Sequence, residues 1–205
     1  MVPPSLSVHN LLLDGHGKRP KDFSKTSMKK WETQVQLAIS DLLRTHANLY
    51  IVAHSMGTLF AIEQAIKCTQ IKGLFLLAVP IKAEPKAQML HNAIAIYRGN
   101  IPCDDHLAIA AKAACSIEPS KNPVHYLGWI VRYLELFQKI HAIRKLLPNL
   151  HTPTIAIESK LDEMVSKNAD QYLIAHSQMD VYTLKKSYHF VYDDQDFETI
   201  KKTFP

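Results

Sequence analysis

The stretch Leu49-Tyr50-Ile51-Val52-Ala53-His54-Ser55-Met56-Gly57-Thr58-Leu59-Phe60 holds the residue types best suited to covalent chemistry. A serine on a sharp turn between an apolar strand and a helix offers its hydroxyl as a nucleophile, and the turn closes only if the residues two positions to either side are small. Ala53 and Gly57 meet that demand, although glycine is usual at the first of these places. The helix that follows aims its amino end at the reaction centre, where the Met56 N–H can donate to a developing oxyanion. A purely structural reading competes. Serine is a favoured N-cap, and Ser55 could simply cap the helix beginning near Gly57.

A serine nucleophile needs a base to take its proton, and the base needs a carboxylate to orient it. His189, in Lys186-Ser187-Tyr188-His189-Phe190, follows the last strand candidate. With eleven histidines in the chain, its position alone would be weak evidence, so the elbow and the acid must support it. Asp162 follows a strand candidate in Pro153-Thr154-Ile155-Ala156-Ile157-Glu158-Ser159-Lys160-Leu161-Asp162-Glu163-Met164-Val165. Glu163 and Glu158 are the nearest competitors for the acid. Asp162 is preferred because a helix starting at Met164-Val165 leaves its carboxylate in the connecting loop.

The elements that must position these residues follow from periodicity. Short β-rich apolar runs span Ser7 to Leu13, Leu49 to Ala53, Gly73 to Val79, Thr154 to Ile157 and Asp180 to Leu184. Met28, Trp31, Val35, Ile39 and Leu42 recur three or four apart and share one helical face. Further helices are expected from Gly57 to Cys68, Val165 to Ala175 and Asp194 to Lys202. Strands alternating with helices imply parallel pairing through right-handed crossovers. The expected fold class is therefore α/β, three-layered, with a mostly parallel sheet of about five strands. The stretch 84–148 breaks the rhythm with helical patterns divided by Pro85, Pro102, Pro119 and Pro123. It reads as a helical insertion over the carboxyl edge of the sheet, its aromatic stripe (Tyr126, Trp129, Tyr133, Phe137) serving as packing or as a substrate wall.

Composition narrows the classes. A 205-residue chain with 47% hydrophobic residues can bury one domain's core, and no low-complexity tract suggests disorder. The charge of +5 is scattered rather than gathered into a stripe with interleaved aromatics, so a nucleic-acid partner is not expected. No apolar run approaches the ~20 residues of a membrane span, and Met1-Val2-Pro3-Pro4-Ser5 lacks a leader pattern. Cys68, Cys103 and Cys115 are odd in number and carry no metal or redox spacing, which points to a reducing, cytoplasmic setting. Cys103-Asp104-Asp105-His106 reads as a helix start capped by Asp104 rather than a metal site.

Taken together, Gly15-His16-Gly17, Trp31, the Ala53 to Gly57 elbow, Pro153-Thr154 with its strand, Asp162 to Val165 and Ser187-Tyr188-His189-Phe190-Val191-Tyr192-Asp193-Asp194 resemble the α/β-hydrolases. The similarity is closest to the bacterial carboxylesterase and monoacylglycerol-lipase-like branch. It covers nearly the whole chain and is weakest in 84–148. The resemblance implies a nucleophile at Ser55, an acid at Asp162, a base at His189 and no cofactor or metal. It implies a small-molecule carboxylic ester or thioester with an apolar acyl group as substrate, cleaved through an acyl-enzyme. Two alternatives stay open: a catalytically weakened hydrolase fold that binds a ligand or protein, and acyl transfer to an acceptor other than water.

Two departures from the family pattern bear on activity. Tyr188 stands where a glycine usually precedes the histidine, and its bulk could crowd the base. The family also begins with a strand ending in a His-Gly loop that supplies a second oxyanion donor, whereas this chain starts at a later strand. Gly15-His16-Gly17 then reads as a tight turn near the site, its glycines serving backbone conformation. Losing one such donor costs roughly 10² to 10³ in rate. The shortened sheet also exposes a strand edge, which a homodimer formed through it would cover.

Overall fold

A computed structural model describes residues 6–84, 86–115 and 117–204, the side chain of Cys115 excepted. Pro85, the Cys115 thiol and the Met1 to Ser5 leader reading lie outside the described residues. The elements run α1 (Pro20–Ser24), α2 (Met28–Leu42), β1 (Leu49–His54), α3 (Met56–Lys67), β2 (Ile71–Leu77), α4 (Ala87–Arg98), α5 (His106–Cys115), α6 (Leu127–Leu146), β3 (Thr154–Ser159), α7 (Asp170–Ile174), β4 (Met179–Leu184) and α8 (Asp194–Thr203). All strand pairs are parallel, in the order β1-β2-β3-β4. Every crossover therefore returns through a helix, and all four carboxyl ends lie along one edge.

Side-chain alternation along the strands builds the two faces of the core. Leu74 and Leu76 of β2 point into the larger cluster, where Ile39 of α2, Leu59 and Ile62 of α3, Ile143 of α6 and Leu173 of α7 pack. Phe75, Ile157 and Leu184 point the other way, onto Ile200 of α8 and Phe204. A sheet with helices on both faces results. α6 is anchored by the buried Lys139, whose Nζ donates to Glu32 at 2.7 Å and Glu63 at 2.6 Å, joining α6 to α2 and α3.

The sheet has four strands rather than the expected five, because Ser7 to Leu13 forms no ladder. Side chains of α2 and of the loop after it hold this extended run instead. Gln34 Oε1 accepts from the Asp14 N–H and Gln34 Nε2 donates to the Leu12 carbonyl, each at 2.9 Å, while Ser7 Oγ bonds His46 Nε2 at 2.8 Å. β1 is consequently an edge strand, and α8 does not extend over it, leaving Tyr50 and Val52 exposed.

Two helix boundaries differ from expectation. The helix expected at Val165 begins only at Asp170 after a short 3₁₀ turn at Lys167–Ala169, because Asp162 Oδ1 accepts from the Met164 and Val165 N–H groups and Val165 bridges Ala83. At α5 the cap is Asp105 rather than Asp104: Asp105 Oδ1 accepts from the Ala108 N–H at 3.0 Å. In 84–148 the described elements are helical, and Ile140 and Ile143 of α6 pack into the larger core cluster.

Gly15 illustrates how the loop before α2 is held. Its φ is +88°, and an added Cβ would lie 2.9 Å from both Phe23 Cα and Thr26 Cγ2. The neighbouring Asp14 carbonyl accepts from the buried Trp31 indole at 2.8 Å, so the loop has little room to yield. Gly15→Ala is expected to cost about 1–3 kcal/mol of stability, measured by urea unfolding. An unchanged midpoint would contradict this placement of the turn.

Candidate active site

Ser55 leaves β1 with its N–H still bonded to the Leu77 carbonyl at 2.9 Å, the last rung of the β1–β2 ladder. Its backbone then adopts φ 50° and ψ −126°, a conformation rare for a residue with a side chain. The Ser55 carbonyl is already helical and accepts from the Thr58 N–H at 2.9 Å and the Thr58 hydroxyl at 2.7 Å. The turn tolerates Ala53 easily: a Cβ added at Gly57 would meet the Ala53 Cβ at 3.8 Å, an ordinary contact.

Ser55 does not use its hydroxyl as a helix cap. Its side chain makes no cap hydrogen bond, although the residue occupies the N-cap position of α3. The hydroxyl lies instead 2.9 Å from His189 Nε2. On the other side of the ring, His189 Nδ1 lies 2.7 Å from Asp162 Oδ2. Ser55, His189 and Asp162 thus form one continuous hydrogen-bonded row, contributed by the carboxyl ends of β1, β4 and β3. The bulk of Tyr188 does not prevent it.

The competing carboxylates have other tasks. Glu158 Oε1 accepts from the Val79 N–H at 2.8 Å, beside Ala78, whose φ is +53°. Glu163 Oε2 accepts from the His189 backbone N–H at 3.1 Å. Burial alone would raise the pKa of Asp162, but the His189 hydrogen bond and the Val165 and Met164 N–H groups outweigh it and hold the carboxyl below its usual range. Asp162 is accordingly the anion beside the ring. Burial drives Glu158 the opposite way, well above the ordinary carboxylate range, with only the Val79 N–H opposing.

Sequence reasoning missed His54. Its Nε2 lies 2.9 Å from the His189 carbonyl, and its ring stacks edgewise on the His189 ring with centroids 5.0 Å apart. Because the partner is a carbonyl, Nε2 carries the proton and donates. Burial, then the proximity of His189, lowers the pKa of His54 to about 4, so the ring is neutral near pH 7. Adjacency to Ser55 was the only signal in the sequence.

Met56 opens α3, so its N–H belongs to the helix's first turn and has no partner within the helix. The Gly15 to Gly17 loop contributes to the wall of the same groove through His16, but the His16 N–H is spent on the Leu13 carbonyl at 3.1 Å. The groove, of about 790 Å³, runs between residues 9–13 and α2 on one side and β1 on the other. Its walls include Leu11, Leu13, Val35 and Phe60, and it opens onto Ser55 and Met56. Among the described residues no group of three or more His, Cys, Asp and Glu side chains is arranged to hold a metal, and no helix is long and apolar enough to cross a membrane.

No protein-family model matches the sequence, and no curated protein matches it. Solved structures do match. A chain from the work on the metagenome-derived lipolytic enzymes LipS and LipT superposes over 93% of this chain and 77% of its own, with a TM-score of 0.64 and 16% identity. The monoacylglycerol lipase of Paleococcus ferrophilus superposes over 86% and 73%, with a TM-score of 0.60 and 15% identity. The 2-hydroxy-6-oxo-6-phenylhexa-2,4-dienoate hydrolase of Rhodococcus sp. strain RHA1 covers 80% and 66%, at 0.58 and 15%. At these identities the likeness concerns architecture: the chain has the α/β-hydrolase fold.

The burial of Glu158 has a measurable effect on stability. Burial shifts this carboxyl toward its protonated form in the folded state, whereas the unfolded chain releases the proton near the ordinary value of 4.5. The stability contributed by the proton is therefore complete below that pH and is lost as pH rises toward the folded-state value. Glu158→Gln, which keeps an oxygen acceptor for Val79, should gain on the wild type progressively from pH 4 to 8 in thermal melts. A difference that does not vary with pH would show that Glu158 is ionised in the fold.

Proposed function

We propose that this α/β-hydrolase fold is a serine hydrolase, with Ser55 as nucleophile, His189 as general base and Asp162 as the acid that orients the ring. The observation that carries this reading is the unbroken row from Ser55 Oγ through His189 to Asp162, at 2.9 and 2.7 Å. A serine that only capped a helix would turn its hydroxyl toward the helix N–H groups, and this one does not.

The chemistry follows from the row. His189 Nε2 takes the hydroxyl proton as Ser55 Oγ attacks an acyl carbonyl. Asp162, ionised, holds Nδ1–H and stabilises the imidazolium that forms. The Met56 N–H donates to the oxyanion at the helix's amino end. His189 then passes its proton to the departing alkoxide or thiolate, leaving an acyl-enzyme that water cleaves by the same steps in reverse roles. No cofactor is required. The apolar walls of the groove favour an ester or thioester with an apolar acyl group.

A fluorophosphonate probe should add covalently to Ser55 in the wild type and not in Ser55→Ala, as read by intact mass. Absence of labelling on folded wild-type protein would turn the assignment toward a binding protein that keeps the fold without the reaction. On a short p-nitrophenyl ester, Ser55→Ala should abolish turnover, and Asp162→Asn should lower kcat by about 10⁴-fold through loss of the correct His189 tautomer. Survival of turnover in Ser55→Ala would remove Ser55 from the mechanism. Glu163→Gln should lose far less than Asp162→Asn.

A further inference from the structure

The ring of His189 is held by Ser55 and Asp162, but its main chain is held as well, and by the chain neighbours of those same two residues. His54, immediately before Ser55, donates from Nε2 to the His189 carbonyl at 2.9 Å. Glu163, immediately after Asp162, accepts the His189 N–H on Oε2 at 3.1 Å. His189 and Glu163 are buried, and Phe190 packs against both the His54 ring (5.5 Å between centroids) and the His189 ring (4.5 Å). His189 belongs to no helix or strand, so no ladder or helical bond fixes its peptide groups. The Tyr188 N–H closes the loop across His189 by donating to the Val191 carbonyl at 2.8 Å, which leaves the peptide groups of His189 itself to these two side chains.

We infer that His54 and Glu163 are positioning residues, a pair of side chains that grips the peptide groups on either side of His189 and thereby sets its ring between Ser55 and Asp162. The inference rests on the proposed roles of those three residues. The two grips differ in chemistry. The His54 bond requires a donor at the elbow's second position, and a neutral ring supplies one without placing a second cation against an imidazolium. The Glu163 bond requires only an acceptor oxygen. Both elements that deliver the reacting groups, the β1 turn and the loop after β3, are thereby tied to the base twice. The loop after β3 is in turn secured from the segment before α4: the Lys86 N–H donates to the Glu163 carbonyl at 3.0 Å and Lys86 Nζ to the Asp162 carbonyl.

The test pairs variants that remove each bond with variants that keep it. His54→Phe keeps the ring contact and loses the donor, while His54→Gln retains an amide N–H. Glu163→Leu loses the acceptor, while Glu163→Gln retains an amide oxygen. On a p-nitrophenyl ester, His54→Phe and Glu163→Leu should each lower kcat by about 10- to 100-fold with KM nearly unchanged, as expected for a base displaced from its line of transfer. The two glutamine variants should stay within about threefold of the wild type. The combined His54→Phe/Glu163→Leu variant should lose less than the product of the single losses, since both act through one ring.

A second readout needs no turnover. The low-field proton of the His189 Nδ1–H bond to Asp162 should be present in wild type, in Ser55→Ala and in the glutamine variants, and broadened or lost in the Phe and Leu variants. Unchanged kcat and an unchanged low-field proton in both of the latter would overturn the inference. So would equal losses in the glutamine variants, or losses confined to KM. If wild-type protein neither labels nor turns over, the serine hydrolase reading fails by itself, and the low-field proton still decides whether the pair positions the ring.

Discussion

The last rung of the β1–β2 ladder, from the Ser55 N–H to the Leu77 carbonyl, is the interaction on which the site depends. It holds residue 55 at the end of the strand while the Ser55 carbonyl, two bonds farther along the chain, already serves the first turn of α3. One residue must therefore reverse the chain from extended to helical, and it does so at a φ of 50°. Such a conformation costs on the order of 1–3 kcal/mol and persists only where its surroundings over-determine it. The return for that strain is geometric: the hydroxyl is thrown clear of the helix it would otherwise cap.

Parallel pairing supplies the remaining geometry. Because β1, β2, β3 and β4 all run the same way, the residues after β1, β3 and β4 emerge on a single edge although they are far apart in the chain. The pairs that meet there are separated by 134 and 27 positions. Helix packing on both faces keeps the strands in register, with Lys139 tying α6 across α2 and α3. That buried cation is satisfied by two carboxylates, which matters more than its net contribution: without both of them the Lys139 charge would be stranded in the interior.

The environment of the row is polar, buried and matched. Asp162, Glu158, Glu163 and His189 are all nearly inaccessible to water, and each has a named partner. Their neighbourhood sorts the three carboxyls of one short stretch into different jobs. Asp162 is kept ionised by the ring and by two N–H groups; Glu158, with one N–H and deep burial beside a strained turn at Ala78, is pushed toward its protonated form; Glu163 serves a backbone amide. Similar residues thus acquire distinct roles from hydrogen bonding and burial alone.

Local chemistry was legible in the sequence wherever a single segment carried it. The elbow around Ser55, the alternating apolar faces of β2 and β3 and the amphipathic face of α2 each depend on neighbours within a few residues, so pattern alone located them. In the sequence Asp162 is favoured over Glu158 and Glu163 by a helix start that the fold moves to Asp170, and only the approach of His189 from the loop after β4 decides which carboxyl meets the ring. The Ser7 to Leu13 run looked like a strand because it is apolar and extended, yet a strand requires a ladder partner, and the side chains of Gln34 and His46 hold it elsewhere. His54 gave no sign beyond its position next to Ser55, since its hydrogen bond is to a main-chain carbonyl 135 residues away. Residue type and spacing determine what a side chain can do, whereas the partner it does it with is set by long-range packing, which brings together groups that share no local pattern.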